Sequence, residues 1–333
     1  MSEIPVMMTI AGSDCSAGAG LQADLKAAHA MGAFALTAVT CIVSEVPGLV
    51  RGIQEVEPEL VADQVRINLE HFPVAAVKAG MLYSPSIVRA VHGVLKDADI
   101  PLVVDPVMIA TAGDRLMREE AVAVYEELLL PRAALLTPNL DEAAVLLRSS
   151  SNPERDESPE AAARLALRYG CPVLLKGGHL AGDCRDVLAG PDGRSLGEWT
   201  RPRVRDVSTH GTGCSLSAAI AARLAAGDGL VTAVERGLEF IAAAIRCKKA
   251  GYDGVDHTTA TGTFVHKGVA AVDKRVFPLG SDLYVMAKGM EYGLTKAEDT
   301  GMKGQKIDLY LESYQQCIQF GRRSATVYLL ENS

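Results

Sequence analysis

The chain has 333 residues, of which 48% are hydrophobic and 22% charged, and its formal net charge is −8. This composition is ordinary for a globular protein, and the acidic balance argues against a surface built to bind nucleic acid. No apolar run is long enough to span a membrane, and the seven cysteines form no CxxC pair or zinc-ligand spacing, which predicts a cytoplasmic protein with reduced thiols.

The chain opens with a predicted buried strand over Val6–Ala11, a glycine-containing turn and an amphipathic helix over Leu21–Met31. The turn and helix contain the string GAGLQA, which begins at Gly18 and formally fits the G-x-G-x-x-A fingerprint of dinucleotide-binding proteins. The match is poor, because the strand ends well before Gly18. Glu45 lies about as far along the sequence from the glycines as the ribose-binding carboxylate of such proteins, but it follows a strand rich in Thr and Ser.

Strands and helices then alternate as far as residue 250. Further strands are predicted over Ala35–Ser44, Val74–Ala79, Leu102–Val104, Ala134–Thr137 and Pro172–Leu175. Helices are predicted over Pro58–Phe72, Ser86–Asp97, residues 118–130, the segment that begins near Glu142, the segment that ends near Gly170, the run after Gly211, and Leu230–Cys247. Residues 148–159 have the composition of a surface loop and residues 183–205 that of a hairpin. The alternation predicts an α/β domain with a mostly parallel sheet covered on both faces.

The pattern changes after about Gly251. Residues 251–310 are rich in Gly, Thr, Lys and Asp and contain only short apolar runs. Beyond them the sequence is compatible with a helix over Asp308–Phe320 and a strand over Ala325–Leu330. We therefore predict two domains, 1–250 and 251–333. The second could be a small appended subdomain, an oligomerisation element or a partly disordered extension.

The most informative stretch is HGTGC, residues 210–214, which stands directly before a predicted helix. A glycine turn that leads into a helix presents unpaired backbone N–H groups at the positive end of the helix dipole, which is a site for anions. Cys214 would lie in this field, which predicts a lowered thiol pKa. On these residues alone, a capping turn with a small buried cysteine explains the stretch equally well.

Polar residues and glycines also stand near the ends of the predicted strands or directly before a helix, at Gly12, Gly80, Asp105, Asn139, Lys176 and Gly211. Taken singly they have structural explanations, such as a turn residue, a helix-dipole carboxylate or a solvated lysine. In a parallel sheet, however, the carboxyl ends of the strands meet at one edge. Together the residues supply an anion hole, a lysine for phosphate, carboxylates for Mg²⁺ and a proton acceptor, which are the parts of a phosphoryl-transfer site. The sequence lacks GxxxxGK[ST], so a P-loop enzyme is excluded.

Seven strings carry a resemblance to a known family: TIAGSD, SAGAGLQADLKA, KAGML, VVDPVM, LLTPNLDEA, LLKGGH and HGTGC. Their types and order resemble the hydroxymethylpyrimidine/phosphomethylpyrimidine kinases of thiamine biosynthesis, which belong to the ribokinase-like superfamily together with pyridoxal kinases. The resemblance covers about residues 4–250. It implies a three-layer α/β/α sandwich, ATP with Mg²⁺, a small-molecule acceptor and a homodimer, with no nucleic-acid or membrane partner.

The resemblance also implies roles for the HGTGC stretch. The amides of Gly211, Thr212, Gly213 and Cys214 would surround the transferring phosphoryl group. Cys214 would accept the proton of the hydroxymethyl group, at a position where many related sugar kinases carry an aspartate. Its place at a helix N-terminus gives a physical reason for a cysteine to serve there.

Further strand-end residues would bind the nucleotide and metal. Lys176 would contact the phosphates of ATP, and Asn139 and Glu142 would help to order Mg²⁺ through water. Asp105 would lie near the phosphates and the metal, also through water. The segment Met108–Arg115 would be a mobile flap that excludes water from the site.

The resemblance places the following residues around the acceptor: Gly12, Ala19, Val43, Glu45, Gly80, Met81 and Val107. Glu45 departs from the family, which usually has a glutamine there whose amide reads the aminopyrimidine. A carboxylate accepts hydrogen bonds but donates none unless protonated, so Glu45 would suit an aminopyrimidine with a protonated ring, or a different acceptor such as pyridoxal. A solvent-facing loop glutamate is the structural alternative.

The residues and the resemblance lead to three functional hypotheses. The leading hypothesis is a kinase for 4-amino-5-hydroxymethyl-2-methylpyrimidine, and for its monophosphate as well, with pyridoxal as the alternative acceptor. The second is a non-catalytic pyrimidine-binding protein of the same fold, against which Lys176, Glu142 and HGTGC weigh. The third is a dehydrogenase.

Overall fold

The computed structural model describes residues 4–108, 119–154, 156–178, 182–204, 209–249, 269–279, 281–287, 290–300, 302, 306–309 and 324–330. The chain divides into two compact units, residues 1–245 and residues 246–333.

A nine-stranded sheet forms the centre of the first unit. Its strands are β1 (Val6–Asp14), β2 (Phe34–Val46), β3 (Leu49–Glu55), β4 (Val74–Ala79), β5 (Leu102–Val104), β6 (Leu135–Leu136), β7 (Val173–Leu175), β8 (Cys184–Ala189) and β9 (Ser195–Arg201). They are arranged in the order β3-β2-β1-β4-β5-β6-β7-β8-β9. The strands from β2 to β7 in this order run parallel, and β3, β8 and β9 are antiparallel to their neighbours. The mostly parallel sheet predicted from the sequence is confirmed.

Helices cover both faces of this sheet. They are α1 (Gly20–Ala30), α2 (Pro58–His71), α3 (Pro85–Leu95), α4 (Glu119–Leu128), α5 (Leu140–Leu147), α6 (Ser158–Tyr169), α7 (Thr212–Ala225) and α8 (Leu230–Lys249). Helices α2 to α6 bury their apolar residues against one face, and α1, α7 and α8 bury theirs against the other. The predicted three-layer α/β/α sandwich is therefore confirmed. No helix in the described part of the chain combines the length and apolarity needed to cross a membrane.

Strand β5 shows why its residues form this architecture. Leu102 and Val104 belong to the core under α2 to α6, and Val103 belongs to the core under α1, α7 and α8. Successive side chains of a strand point to opposite faces, so a strand covered on both sides is apolar at every position. The same edge of the sheet then carries Asp105 and, beyond β6 and β7, Asn139 and Lys176, which form a parallel bridge with each other.

In the first unit the predicted elements agree with the observed ones except in one place. Strand β3, which runs antiparallel to β2, is not predicted by the sequence. Its seven residues contain Gly52 and Arg51, and none is fully buried. The regular alternation of apolar and polar residues that marks a half-buried strand is therefore absent.

The second unit contains a five-stranded sheet. Its strands are β10 (Val269–Val272), β11 (Asp282–Ala287), β12 (Met290–Thr300), β13 (Ile307–Leu309) and β14 (Ala325–Leu330), in the order β13-β10-β12-β11-β14. Val272, Leu283 and Ala297 belong to its small core. The predicted strand over Ala325–Leu330 is confirmed. The predicted helix is wrong at its start, because Asp308 pairs with β10 as part of a strand, and residues 310–320 lie outside the described residues.

Candidate active site

The loop after β1 wraps around a buried carboxylate. Asp14 is 1% exposed and accepts hydrogen bonds from the backbone N–H groups of Ser16 (2.7 Å), Gly18 (3.1 Å) and Ala19 (2.8 Å). Burial raises the pKa of Asp14, but these bonds and that of the Ser16 hydroxyl outweigh it and leave the pKa below its usual value. The loop that resembles a dinucleotide fingerprint thus donates two of its amides to the protein's own carboxylate.

The HGTGC turn packs directly on this loop. Gly211 precedes α7 with a φ of +76°, and a Cβ placed on it would lie 1.8 Å from the carbonyl oxygen of Gly18. Both the left-handed backbone and the close approach therefore require glycine. His210 Nε2 lies 3.4 Å from Asp14 Oδ2, so the same carboxylate joins the two loops. The turn is held by contacts to β1 and α1, which fixes the start of α7.

The predicted anion site lies at the start of α7. The helix begins at Thr212, and the first amides of a helix have no partner within it. The amide of Thr212 is engaged by the carbonyl of Thr209 at 3.2 Å. Of the four predicted amides, the one on Thr212 is thus directed back into its own turn.

Cys214 lies in the first turn of α7 and is half-buried. Burial raises the pKa of its thiol to about 11, against the attraction of Lys78 and a hydrogen bond from the N–H of Gly20. The lowered pKa predicted from the sequence is therefore wrong for the protein without ligands. The prediction counted the field of the helix terminus but not the loss of water around the sulfur, which disfavours the thiolate.

A lysine and a carboxylate face the same turn. Lys176 Nζ donates to Asp105 Oδ1 at 2.9 Å, and a Cβ placed on Gly213 would lie 3.2 Å from that Nζ and 3.9 Å from Asp105 Oδ2. The hydroxyls of Thr137 and Ser217 each donate to Asp105 at 3.2 Å. Burial raises the pKa of Asp105, but Lys176 and Lys78 outweigh it and leave the pKa below its usual value. The structure thus brings together three parts of the predicted site, namely Lys176, Asp105 and the first turn of α7.

Asn139 and Glu142 form a capping box at the start of α5. Glu142 N–H donates to Asn139 Oδ1 at 2.9 Å, and Asn139 N–H donates to Glu142 Oε2 at 2.8 Å. Burial raises the pKa of Glu142 to about 8, although Lys176 and the N–H groups of Asn139 and Met108 favour its charged form. The motif therefore has a structural role that the sequence prediction did not include.

The carboxylates fit the predicted magnesium site. Asp105 and Glu142 are both nearly fully buried, and each interacts with Lys176. Mg²⁺ is usually bound by one or two carboxylates together with water and substrate phosphates, so two carboxylates at this edge suit it. No group of three or more His, Cys, Asp or Glu side chains that could hold a metal alone occurs in the described part of the chain.

Four of the seven residues predicted to surround the acceptor lie together. Val43, Met81 and Val107 meet in one apolar cluster with Cys41, and a Cβ placed on Gly12 would lie 2.8 Å from Cys41 Sγ. The cluster is a small apolar core, because Cys41, Val43 and Met81 are all buried.

Gly80 and Ala19 lie outside this cluster. A Cβ placed on it would lie 2.6 Å from Lys78 Nζ, so Gly80 covers a buried ammonium group. Ala19 belongs to the loop around Asp14 and precedes α1.

Glu45 lies near the end of β2, beside the loop around Asp14. Its backbone N–H and C=O contact Cys15 Sγ at 3.3 Å and 3.2 Å. Burial raises the pKa of the half-buried Glu45 carboxyl, Asp14 raises it further, and His210 lowers it. Glu45 is therefore not a fully solvated loop residue, and its charge interacts with the two side chains that join the loops of the site.

Other residues of this region have a role that the sequence analysis did not assign. Asp14 and His210 hold the two loops together, and Lys78 lies fully buried under the site. A usable signal was present for Lys78, because it is a charged residue inside the apolar strand β4. The predicted flap, Met108–Arg115, lies outside the described residues except for Met108, which is buried.

Comparison with known families gives two matches. The model described as phosphomethylpyrimidine kinase matches residues 14–258, and the model described as 3D domain matches residues 268–331. The two matched segments follow each other along the chain.

Curated relatives match the first of these segments. The putative hydroxymethylpyrimidine/phosphomethylpyrimidine kinase 2 of Schizosaccharomyces pombe is 40% identical over 73% of this chain and 47% of its own length. The hydroxymethylpyrimidine/phosphomethylpyrimidine kinase of Streptomyces coelicolor is 40% identical over 78% of this chain and 96% of its own length. The chain thus spans about half the length of the first relative and nearly all of the second.

Solved structures are similar over the same part of the chain. The pyridoxal kinase of Bacillus subtilis, solved as an ADP complex, has a TM-score of 0.68 and 31% identity, and the match covers 73% of this chain and 92% of that one. The phosphomethylpyrimidine kinase of Clostridium difficile has a TM-score of 0.62 and 34% identity, with 73% and 100% covered.

Proposed function

The chain belongs to the phosphomethylpyrimidine kinase family, and we propose that its first 250 residues transfer the γ-phosphoryl group of ATP to the hydroxymethyl oxygen of 4-amino-5-hydroxymethyl-2-methylpyrimidine. One observation carries the proposal. A Cβ placed on Gly213, in the first turn of α7, would lie within 4 Å of both Lys176 Nζ and Asp105 Oδ2, which belong to residues at the carboxyl edge of the sheet. This is the set of groups that phosphoryl transfer requires, namely backbone donors, a cation and a carboxylate at one point.

The phosphates of ATP would bind at the start of α7. The helix dipole and the amides of Gly213 and Cys214 favour negative charge there, and the ammonium group of Lys176 adds a full positive charge. Lys176 has a side chain that is 14% exposed, so a ligand can reach it. Relatives of known structure that bind ADP support the choice of an adenine nucleotide.

Asp105 and Glu142 would hold Mg²⁺ through water. When bound, the ion would neutralise charge on the phosphates of the nucleotide. The burial that raises the pKa of Glu142 to about 8 disfavours its charged form, and a nearby divalent cation would favour that form. Thr137 and Ser217 hold the Asp105 carboxylate in place with their hydroxyls.

Cys214 would accept the proton of the acceptor hydroxyl. The hydroxyl oxygen then attacks the γ-phosphorus, the bond from that phosphorus to the β–γ bridging oxygen breaks, and ADP leaves with the electron pair of that bond. The apolar cluster of Val43, Met81 and Val107 would hold the pyrimidine ring. The same anion hole could serve the monophosphate of the acceptor, and we include this second phosphorylation in the proposal.

Pyridoxal is the second candidate acceptor. Glu45 favours it, because a carboxylate beside the acceptor loops accepts hydrogen bonds and suits a ring that protonates readily. The similarity to a solved pyridoxal kinase supports the same alternative. A cytoplasmic homodimer, which the resemblance implies, is part of the proposal as well.

The test is ATP consumption with Mg²⁺ and, in parallel, the hydroxymethylpyrimidine, its monophosphate and pyridoxal. Preference for the two pyrimidines supports the leading proposal, and preference for pyridoxal assigns the chain to the second. The Cys214→Ala variant should lose about 10²–10⁴-fold in turnover, as expected for a general base. Unchanged turnover of that variant would remove Cys214 from this role, and no turnover by the wild type with any acceptor would favour a non-catalytic binding protein.

A further inference from the structure

A second lysine–carboxylate pair lies beneath the site, and the mechanism above does not use it. Lys78 Nζ in β4 donates to Asp24 Oδ2 in α1 at 2.8 Å, and both side chains are 0% exposed. Placing two charges away from water is costly, and a pair of apolar residues of similar volume is often as stable or more so. A purely structural contact at this position would not require charge.

The pair is incompletely satisfied. Thr9 Oγ1 donates to the same Asp24 Oδ2 at 2.5 Å, while Asp24 Oδ1 has no hydrogen-bond partner among the described residues. The backbone of Gly80 packs against Lys78 Nζ, because a Cβ placed on Gly80 would lie 2.6 Å from that atom. The ammonium group is therefore fixed between α1 and the turn after β4, at the edge of the sheet where the site lies.

This ammonium group lies close to Cys214. The Cys214 thiol accepts a hydrogen bond from the N–H of Gly20, the first residue of α1. Asp24, the partner of Lys78, follows one turn later on the same face of α1. After burial, Lys78 is the largest influence on the pKa of the Cys214 thiol, and it opposes burial; Asp24 and Asp105 raise the pKa by smaller amounts. The charged groups that face Cys214 are Lys78 from β4, Asp24 from α1, Asp105 after β5 and Lys176 after β7. Helix α7, which carries Cys214, packs on α1, β4 and β5, so this arrangement follows from the fold.

We infer that Lys78, held in place by Asp24, is a positioning residue that stabilises the thiolate of Cys214. In the thiolate form Cys214 can take the proton of the acceptor hydroxyl and become a neutral thiol, while the acceptor oxygen forms its bond to the γ-phosphorus and ADP leaves. The inference deepens the proposed function and rests on it for the role of Cys214. The electrostatic coupling itself is independent of the reaction.

The test measures the alkylation rate of Cys214 by iodoacetamide as a function of pH in the full-length protein. The peptide that contains Cys214 is followed by mass spectrometry, because other cysteines react as well. The thiolate is the reactive form, so the rate at a fixed pH below the pKa reports the fraction of thiolate. Lys78→Met should lower this rate about tenfold near neutral pH, since loss of a neighbouring charge shifts a pKa by about one unit or more.

Three further variants separate charge from packing. The double variant Asp24→Asn, Lys78→Met removes both charges of this pair, so it should fold even if the single variant does not. It too should lower the rate severalfold. Thr9→Val is the matched control, because it removes a hydrogen bond to Asp24 without changing either charge, and its rate should stay within about twofold of the wild type. Asp24→Asn alone leaves the ammonium group without its carboxylate and should raise the rate.

Folded Lys78→Met and double variants whose alkylation profiles match the wild type would overturn the inference. So would a rate for Thr9→Val that falls as far as that of Lys78→Met, because the effect would then be one of packing. Because alkylation needs no ATP or acceptor, a wild-type chain without kinase activity would contradict the proposed function and leave this measurement valid. In an active enzyme, Lys78→Met should lower kcat with little change in KM, and higher pH should restore part of the activity.

Discussion

The two lysine–aspartate pairs of the first unit have the same chemistry and opposite surroundings. In the first, Lys176 and Asp105 are 2.9 Å apart at the open edge of the sheet, the lysine is 14% exposed, and Thr137 and Ser217 donate to the carboxylate. In the second, Lys78 and Asp24 are 2.8 Å apart with no exposed surface, and one carboxylate oxygen has no partner among the described residues.

In the proposed site this difference would give one kind of interaction two purposes. The open pair can exchange its partner for a ligand, because the lysine reaches solvent and the carboxylate is held by other groups. The closed pair cannot bind a ligand, so it can influence the reaction only through its electric field, which is little screened in a buried location. We therefore expect substitutions in the open pair to affect catalysis most and substitutions in the closed pair to affect stability and the thiol.

Among substitutions in the two pairs, the largest effect on catalysis is expected from Lys176→Met. Removing the cation that faces the phosphates should lower kcat by about 10²–10³-fold, which is typical of losing one group that stabilises transition-state charge. Steady-state kinetics with the preferred acceptor checks this. Lys96→Met, which changes an exposed lysine at the end of α3, is the matched control and should retain wild-type activity. A Lys176→Met enzyme with full activity would show that the open pair is structural.

The next effect concerns stability. Lys78→Met leaves Asp24 buried without its cation and should destabilise the fold by about 3–5 kcal/mol, whereas the double variant with Asp24→Asn should recover most of that loss. In the single variant the pKa of folded Asp24 lies above its unfolded value, so the destabilisation should be smallest near pH 4 and grow as pH rises. Urea unfolding of both variants checks this. A double variant less stable than the single one would contradict the account.

The third expected effect is confined to the pH dependence of stability, in a Glu142→Gln variant without ligands. Glu142 has a folded pKa of about 8, above its unfolded value, so the folded state binds the extra proton and stability should fall as pH rises from about 5 to about 8. Glutamine keeps the capping box, so this part of the pH dependence should disappear in the variant. Thermal unfolding at several pH values checks this, with Glu120→Gln on the exposed face of α4 as control. An unchanged pH dependence would show that Glu142 is ionised in the folded protein.

The sequence predicted the fold well because its central strands are mostly apolar and its helices are periodic. It predicted that Asp105, Lys176 and the HGTGC turn would converge, since parallel strands end at one edge. It could not predict the pairing of Lys78 with Asp24, which stand 54 residues apart. The pKa of Cys214 was predicted in the wrong direction, because the extent of burial depends on packing that the local sequence does not contain. The strand at Asp308 was mistaken for a helix because DLYLESYQQCIQF has apolar residues at helical spacing.

The central claim is that the open pair and the turn before α7 form a phosphoryl-transfer site for a hydroxymethyl acceptor. The most direct measurement is ³¹P NMR of the wild-type protein with ATP, Mg²⁺ and each of the three acceptors, with Lys176→Met beside it. We expect a phosphate monoester signal from the hydroxymethylpyrimidine, formed together with ADP and nearly absent in the variant. ADP formation without a phosphorylated acceptor, or equal product from wild type and variant, would contradict it.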